Sequence, residues 1–242
     1  MIGNDLVDLR AREAAGKSGD ARFVKRVFTA REAELIAASS SPDIALWLLW
    51  AAKEAAYKVA RKLSPTVIFA HSRYEVVPDE GALEPGDAGV SVLRSGRVEV
   101  RELAGLDGAC FPVEWRLSPT FVHCIAMNAG GDFHSLRIAI SARDEIDRDT
   151  AVYEPTERER AALARRERSA ESLAVRRLVR ALAAEAGLGD VEIVRERHGA
   201  AFGPPRLYPR GGGAPLDGWD ITLSHDGELV AAALGEVGTT GR

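Results

Sequence analysis

An almost wholly apolar helical pattern runs from Leu46 to Lys62. At about 3.6 residues per turn, its leucines, alanines and valine cover most of the helix circumference, so we expect it to be packed on several sides. Glu54 and Lys58 share the remaining face, with Lys53 at its edge. Burying such charges is costly unless they meet each other, a metal or a charged ligand. The alternative is an ordinary i, i+4 pair on an exposed face.

The rest of the first half predicts one strand, two helices and a run of strands. Residues 3–7 read as a short buried strand. Thr29-x-x-Glu32 is a capping-box pattern that predicts a helix beginning near Ala30, and Pro42 is expected to open the long charged helix. Beyond Pro65, β-branched residues between turn residues predict strands in these segments: SRYEVV, VSVLRS, RVEVREL, PVEWRL and FVHCIAMN.

The second half has a similar order of predicted elements. LRIAIS predicts a strand, residues 144–149 an acidic loop, and residues 156–186 a helical region ended by Gly187. VEIVRE predicts a strand, residues 199–218 a Gly/Pro-rich loop, and DITLSHDGELVAAAL two closing strands.

This order predicts a duplicated α+β fold, although we find no literal sequence repeat between the halves. We expect two similar subdomains related by pseudo-twofold symmetry, each a long helix packed on a small antiparallel sheet. The predicted boundaries are residues 1–128 and 136–242, joined by a linker at 129–135.

Charge and cysteine content narrow the class of protein. The 242 residues include 36 acidic and 32 basic side chains, a slightly negative balance that argues against a general nucleic-acid binder. Cys110 and Cys124 are too few for a disulfide scaffold and lack metal-ligand spacing. Asp5 and Asp8 stand where a secretory signal would need an apolar core, and the longest apolar run is too short to span a bilayer. We therefore expect a cytoplasmic protein with no membrane partner.

A second acidic group lies in the first predicted strand, which places Asp5 and Leu6 on opposite faces. The pattern Gly-x-Asp-apolar-apolar-acidic at residues 3–8 is followed by Trp-small-small-Lys-Glu-Ala-x-x-Lys at residues 50–58. These two patterns, in this order, resemble the 4'-phosphopantetheinyl transferases. The second pattern alone is weak, but the pair is specific.

The second half resembles the half that comes first in the Sfp-type members of that family. It carries an arginine-rich helix at 168–180, a Gly-x-Pro-x loop at 203–207 and a strand ending in Ser224-His225. The halves are thus predicted to be swapped, a circular permutation that is tolerated when chain ends lie close together at the surface.

The resemblance implies transfer of 4'-phosphopantetheine from coenzyme A to a serine hydroxyl of an acyl or peptidyl carrier protein, releasing 3',5'-ADP. It implies Mg²⁺, with Mn²⁺ as an alternative, held by Asp5 and Glu54 and, ranked lower, by Asp8. It assigns Glu54 as the acceptor of the serine proton and Lys58 as the cation that neutralises phosphate charge.

The resemblance also implies sites for the two substrates. The residues predicted to bind coenzyme A are Ser224, His225, Arg206, Arg176, Arg168 and Lys53. Arg22 and Arg26 are predicted to meet the acidic helix of a carrier protein, and the chain is expected to be a monomer. A solvated surface charge is the alternative for each single arginine, and a simple hairpin is the alternative for His225.

Two other functions stay open at this point. One is another metal-dependent enzyme that transfers phosphoryl groups or cleaves a pyrophosphate on a nucleotide. The other is a carrier-protein-binding module without catalysis. The pathway that the carrier serves, whether fatty acid, polyketide or nonribosomal peptide synthesis, is not specified by the sequence.

Overall fold

The computed structural model describes residues 1–84, 91–103, 105–149, 154–163, 169–198 and 201–237. The chain forms two compact units, one of Gly3–Gly130 and the other of Met1–Ile2 with Gly131–Arg242. We refer to them as the first and the second unit. The α+β class with small antiparallel sheets is confirmed, whereas the twofold relation and the predicted boundaries stay predictions. None of the helices in the described ranges combines the length and the apolar character needed to cross a bilayer.

The first unit is a five-stranded sheet packed on one long helix. Its strands lie in the order β1-β5-β4-β3-β2, and α3 packs against the sheet. The elements in chain order are β1 (Ile2–Asp8), α1 (Ala21–Val27), α2 (Ala30–Ala38), α3 (Pro42–Leu63), β2 (Tyr74–Pro78), β3 (Val92–Val100), β4 (Cys110–Leu117) and β5 (Phe121–Met127).

The predicted helix starts are confirmed in this unit. Thr29 caps α2 and forms a capping box with Glu32, and Pro42 occupies the first turn of α3. The apolar positions of α3 form the core, with Leu46, Leu48 and Val59 completely buried. Two details differ from the sequence reading: α1 is a separate short helix, and the single strand β3 (Val92–Val100) covers parts of both predicted strands VSVLRS and RVEVREL.

The second unit contains a three-stranded antiparallel sheet in the order β6-β10-β9 and a separate antiparallel pair, β7-β8. Helix α6 packs on β9 and β10. The elements are β6 (Arg137–Ala142), α4 (Arg143–Asp149), α5 (Glu157–Leu163), α6 (Ser169–Glu185), β7 (Val191–His198), β8 (Ala201–Pro209), β9 (Trp219–Asp226) and β10 (Leu229–Glu236).

Two loop predictions in this unit are wrong. Residues 144–149 lie in helix α4, whose first turn carries Asp144 and Glu145, where acidic side chains favour the helix dipole. Residues 201–209, predicted as part of a loop, form β8. Strand β8 contains three prolines, Pro204, Pro205 and Pro209, and its register with β7 is irregular between Arg195 and Arg197. Proline has no backbone N–H to donate and is therefore found at edge strands and bulges.

A buried glutamate ties three elements together in the first unit. Glu32 closes the capping box with Thr29, and its Oε2 accepts a hydrogen bond of 2.7 Å from Nζ of Lys53 on α3. Its Oε1 accepts a bond of 2.8 Å from the backbone N–H of Val76 on β2. Glu32 and Lys53 have no exposed side-chain surface. We call these contacts the Glu32 strut.

The same contacts recur in the second unit around Glu159, which forms a capping box with Thr156. Its Oε2 accepts a hydrogen bond of 3.3 Å from Arg180 on α6, and its Oε1 accepts one of 2.9 Å from the N–H of Ile193 on β7. In both units the glutamate and the cation are 21 residues apart. We call these contacts the Glu159 strut.

The two struts correspond to short sequence repeats that the sequence analysis missed. Residues 29–32 and 156–159 both read Thr-x-Arg-Glu, and residues 75–77 and 192–194 read Glu-Val-Val and Glu-Ile-Val. This recurrence supports the predicted duplication.

Candidate active site

The close approach of β1 to α3 depends on Gly3. A Cβ atom on Gly3 would overlap the carbonyl oxygen of Ala55 and would lie 3.0 Å from Cβ of Lys58. Any larger residue would therefore force strand and helix apart. The glycine allows the next residues of β1 to reach the charged face of α3.

Lys58 joins that strand to the helix. Its Nζ donates a hydrogen bond of 2.6 Å to the backbone carbonyl of Asn4 and one of 2.9 Å to the carboxylate of Asp5. The side chains of Lys58 and Asp5 are 29% and 13% exposed, so this ion pair lies at the surface of the site and is reachable from solvent. The structure thus brings together Asp5 and Lys58, two residues that the family resemblance assigns to one site.

Glu54 lies on α3 one turn before Lys58 and is partly buried. Burial, and then the charge of the Asp5 carboxylate, raise the pKa of Glu54 to about 7, while Lys58 opposes the shift. Two carboxylates that repel each other across a partly dry site are a place where a cation is favourable. A carboxylate with a pKa near neutrality also suits a general base.

Aromatic side chains line the same face of α3. Trp50, one turn before Glu54, stacks on His71 with ring centroids 4.7 Å apart, and Tyr57 stacks on Phe69 at 4.6 Å. Burial of Glu54 removes water from its carboxylate and so disfavours the charged form.

The donor set fits a hard cation that takes most of its ligands from elsewhere. Within the ranges that the structure describes, no group of three or more His, Cys, Asp or Glu side chains is placed to hold a metal ion. Mg²⁺ commonly uses one or two protein carboxylates and completes its shell with substrate phosphates and waters. Asp5 and Glu54 match that requirement.

Asp8 does not join this pair. Its carboxylate accepts hydrogen bonds from Nε and Nη2 of Arg10 at 2.9 and 2.8 Å, and a further bond from the Arg10 backbone N–H. In a strand, residues three apart point to opposite faces, so Asp8 faces away from the side on which Asp5 lies. We therefore leave Asp8 out of the proposed metal site.

Lys53 also has a different place from the predicted one. It is completely buried, and Nζ donates to Glu32 and to the backbone carbonyls of His71 and Tyr74. Burial lowers the pKa of Lys53, and the Glu32 carboxylate opposes that shift. With no exposed surface and its ammonium group enclosed by these acceptors, Lys53 cannot reach coenzyme A in this structure.

Residues 1–79 match the 4'-phosphopantetheinyl transferase superfamily. The resemblance predicted from the sequence is confirmed over this segment, which contains Asp5, Glu54 and Lys58. No curated protein sequence matches the chain. The match supports phosphopantetheine transfer in general, with coenzyme A as the donor and a carrier protein as the acceptor in that superfamily.

The other residues that the phosphopantetheinyl transferase resemblance assigns to coenzyme A lie in the second unit. Ser224 and His225 are near the end of β9, directly before the hairpin turn at Gly227 that leads to β10. Ser224 is buried and His225 is half-buried. Arg206, on β8 rather than in a loop, is exposed and forms an ion pair with Asp217.

The remaining two arginines of that set differ in their placement. Arg176 is buried on α6, where its Nη1 donates a hydrogen bond of 2.8 Å to the carbonyl of Ser172. Its burial makes it less suited than Arg206 to meet a ligand from solvent. Arg168 lies outside the described residues.

Arg22 and Arg26 are exposed on helix α1. The helix begins at Ala21 and is capped by the side chain of Asp20. A groove of about 650 Å³ lies among α1, α2 and the start of α3, and its walls include Val24, Lys25 and Ile36. A basic helix beside an apolar groove is suited to contact an acidic, amphipathic partner.

Sequence reasoning missed three contacts in the first unit. Lys58 donates a hydrogen bond to the backbone carbonyl of Asn4, and no sequence motif predicts a contact with a backbone group. The Glu32 strut could not be predicted without knowing that α2, α3 and β2 contact one another. The Thr-x-Arg-Glu repeat was the one sequence signal that could have indicated it. The pairing of Asp8 with Arg10 was visible as an Asp-x-Arg spacing in the sequence.

Proposed function

We propose that this protein is a Mg²⁺-dependent 4'-phosphopantetheinyl transferase that modifies a serine of an acyl or peptidyl carrier protein. The observation that carries the proposal is the meeting of Asp5, Glu54 and Lys58 in the segment that matches this superfamily. We further propose that it acts as a monomer in the cytoplasm.

Asp5 and Glu54 would hold Mg²⁺, which when bound neutralises pyrophosphate charge and orients the pyrophosphate for in-line attack. The raised pKa of Glu54 supports this role, because a cation beside Asp5 and Glu54 would relieve the repulsion between them.

The residues of the chain then account for the transfer step. The Glu54 carboxylate accepts the proton of the serine hydroxyl, directly or through a water. The serine oxygen forms a bond to the phosphorus that carries the pantetheine arm. The bond from that phosphorus to the bridging oxygen breaks, and 3',5'-ADP leaves with the bonding electron pair. Lys58, whose ammonium already lies at 2.9 Å from Asp5, neutralises charge on the phosphates.

Ser224, His225 and Arg206 are the proposed contacts for the nucleotide part of coenzyme A. A serine hydroxyl, an imidazole and a guanidinium are suited to a phosphate, since each donates hydrogen bonds and two of them carry or can acquire positive charge. Arg206 supports this assignment through its exposed position on β8.

The carrier protein is proposed to dock on α1 through Arg22 and Arg26. Their exposure and the apolar groove beside α1 support this surface. Electrostatic steering by such a helix would raise the association rate with an acidic partner, and this contribution would weaken with rising salt.

Intact-mass spectrometry tests the proposed function directly. The full chain is incubated with coenzyme A, Mg²⁺ and a panel of apo carrier proteins from fatty acid, polyketide and nonribosomal peptide systems. We expect one carrier to gain one phosphopantetheine group while an equal amount of 3',5'-ADP is released. Release of nucleotide or phosphate without a modified carrier would favour a pyrophosphate-cleaving enzyme. Binding of a carrier without modification would favour a non-catalytic module.

A further inference from the structure

The Glu32 strut fixes α3 from the side of the unit where α2 and β2 lie. A single carboxylate holds the side chain of Lys53 on α3 and the backbone of Val76 on β2. The carbonyls of His71 and Tyr74 complete the surroundings of the Lys53 ammonium group. Rotation of α3 about its axis would break these buried bonds.

The strand β1 fixes the same helix from a different side. Gly3 lies against the backbone of Ala55, and the Asn4 carbonyl accepts from Lys58. Glu54 lies between these anchor points in the sequence, directly after Lys53 and directly before Ala55. Its direction is therefore determined by contacts that hold its two neighbours.

The Glu159 strut provides a comparison inside the same chain. It uses the same Thr-x-Arg-Glu segment and the same spacing to the cation, but Ala181 follows Arg180 where Glu54 follows Lys53. Buried ion pairs contribute little to net stability, and in some proteins they are retained because they fix geometry. Only in the Glu32 strut is the cation followed directly in the sequence by a carboxylate residue.

We propose that Glu32 and Lys53 are positioning residues for Glu54. By fixing the rotation of α3, they aim the Glu54 carboxylate at the place where Asp5 meets Lys58. Small displacements matter at such a site, since misplacing a reacting group by about 1 Å can cost a factor of about one hundred in rate. This inference rests on the proposed function, because Asp5 and Glu54 are there assigned to Mg²⁺.

The test compares Glu32→Gln with Glu159→Gln, which makes the same change in the other strut. Mn²⁺ binding to the protein without substrates is measured by calorimetry and by electron paramagnetic resonance. We expect Glu32→Gln to weaken Mn²⁺ binding by about tenfold to a hundredfold, the usual effect of removing support from a metal ligand. Glu159→Gln should leave the Mn²⁺ affinity unchanged, although both variants lose a comparable buried contact.

A second variant covers the case in which Glu32→Gln leaves Lys53 charged and buried and the chain does not fold. The double change Glu32→Gln with Lys53→Met removes both charges, which folded proteins commonly tolerate. Circular dichroism confirms folding, and Mn²⁺ binding should again be weaker than in wild type. Steady-state transfer adds a second readout: kcat should fall while the KM for coenzyme A stays unchanged.

The outcomes separate this inference from the proposed function. Wild-type protein that neither binds Mn²⁺ nor transfers phosphopantetheine contradicts the proposed function itself. Wild-type activity together with folded Glu32 variants that bind Mn²⁺ normally overturns the positioning role. An equal loss of Mn²⁺ affinity in Glu159→Gln overturns it too, because the effect would then come from general destabilisation.

Discussion

The ammonium group of Lys58 lies 2.9 Å from the carboxylate of Asp5, although the two residues are 53 positions apart in the chain. This contact brings the first strand and the long helix of the first unit together at their charged residues. It also places Asp5 where its charge acts on Glu54, one turn earlier on the helix.

Glu54→Gln should stabilise the metal-free protein at alkaline pH. The pKa of Glu54 rises from 4.5 to about 7 on folding, so the folded chain binds more protons than the unfolded chain between these values. The free energy of unfolding therefore falls as pH rises through this window, and the full penalty is present above it. Removing the charge should recover about 1–3 kcal/mol, discounted for partial exposure.

Urea unfolding in EDTA at pH 8 and at pH 4 measures this effect. The gain should appear at pH 8 and be nearly absent at pH 4. Glu34→Gln, at an exposed position on α2, is the matched control and should change little at either pH. Lower stability of Glu54→Gln at pH 8 would show that the Glu54 carboxylate is not under electrostatic stress.

Asp5→Asn and Lys58→Met should shift the pKa of Glu54 in opposite directions. The Asp5 charge raises that pKa and the Lys58 charge lowers it, so their removal should move it below and above about 7, respectively. Carbon-13 NMR titration of labelled glutamate carboxyl groups reads this pKa without any substrate. A Glu54 pKa that is the same in both variants and wild type would mean that the three groups do not interact.

Gly3→Ala should damage both the fold and the site. The new Cβ atom would overlap the Ala55 carbonyl, and relieving that clash must separate β1 from α3. We expect a loss of about 1–3 kcal/mol in the free energy of unfolding, as for other overpacked sites. Gly19→Ala is the control, because no atom lies within 4 Å of the position of its added Cβ. Equal stability of these two variants would contradict the close approach of β1 and α3.

Arg206→Ala and His225→Ala should raise the KM for coenzyme A by about tenfold, the effect of losing one charge-assisted hydrogen bond. Neither should alter Mn²⁺ binding, since neither residue is a proposed metal ligand. Arg210→Ala is a control, an arginine that pairs with Asp190 and has no assigned role in binding. An unchanged KM in both variants would remove these residues from the proposed coenzyme A site.

The helices that have strong local signals could be predicted from the sequence, whereas elements that lack such signals were missed. Helix α3 has a proline in its first turn and a near-continuous apolar surface, and α2 has a capping box, so both starts were readable. Strand β8 contains Gly and Pro in a composition typical of loops, and only its pairing with β7 reveals a strand. Local composition does not encode such a partner.

The candidate site shows the same limit. Asp5, Glu54 and Lys58 were predicted as site residues because a family pattern contains all three and the helical period places Glu54 and Lys58 on one face. Lys53 was predicted to contact coenzyme A, whereas it is buried against Glu32, a residue from a different helix. Successive side chains along a helix point in directions about 100° apart, so one can lie at the surface while the next is buried. Whether a charged side chain on the helix faces the surface or the interior depends on a partner that is distant in the sequence.

The most direct test of the central claim measures the rate at which an apo carrier gains phosphopantetheine at saturating coenzyme A and Mg²⁺. The proteins compared are wild type, Asp5→Asn, Glu54→Gln and the control Glu34→Gln. We predict wild-type rates for Glu34→Gln and a loss of at least about a hundredfold for each of the other two variants, as expected when a metal ligand or general base is removed. Modification of the carrier at the wild-type rate by folded Asp5→Asn and Glu54→Gln proteins would contradict the claim that these two carboxylates hold the metal for the transfer.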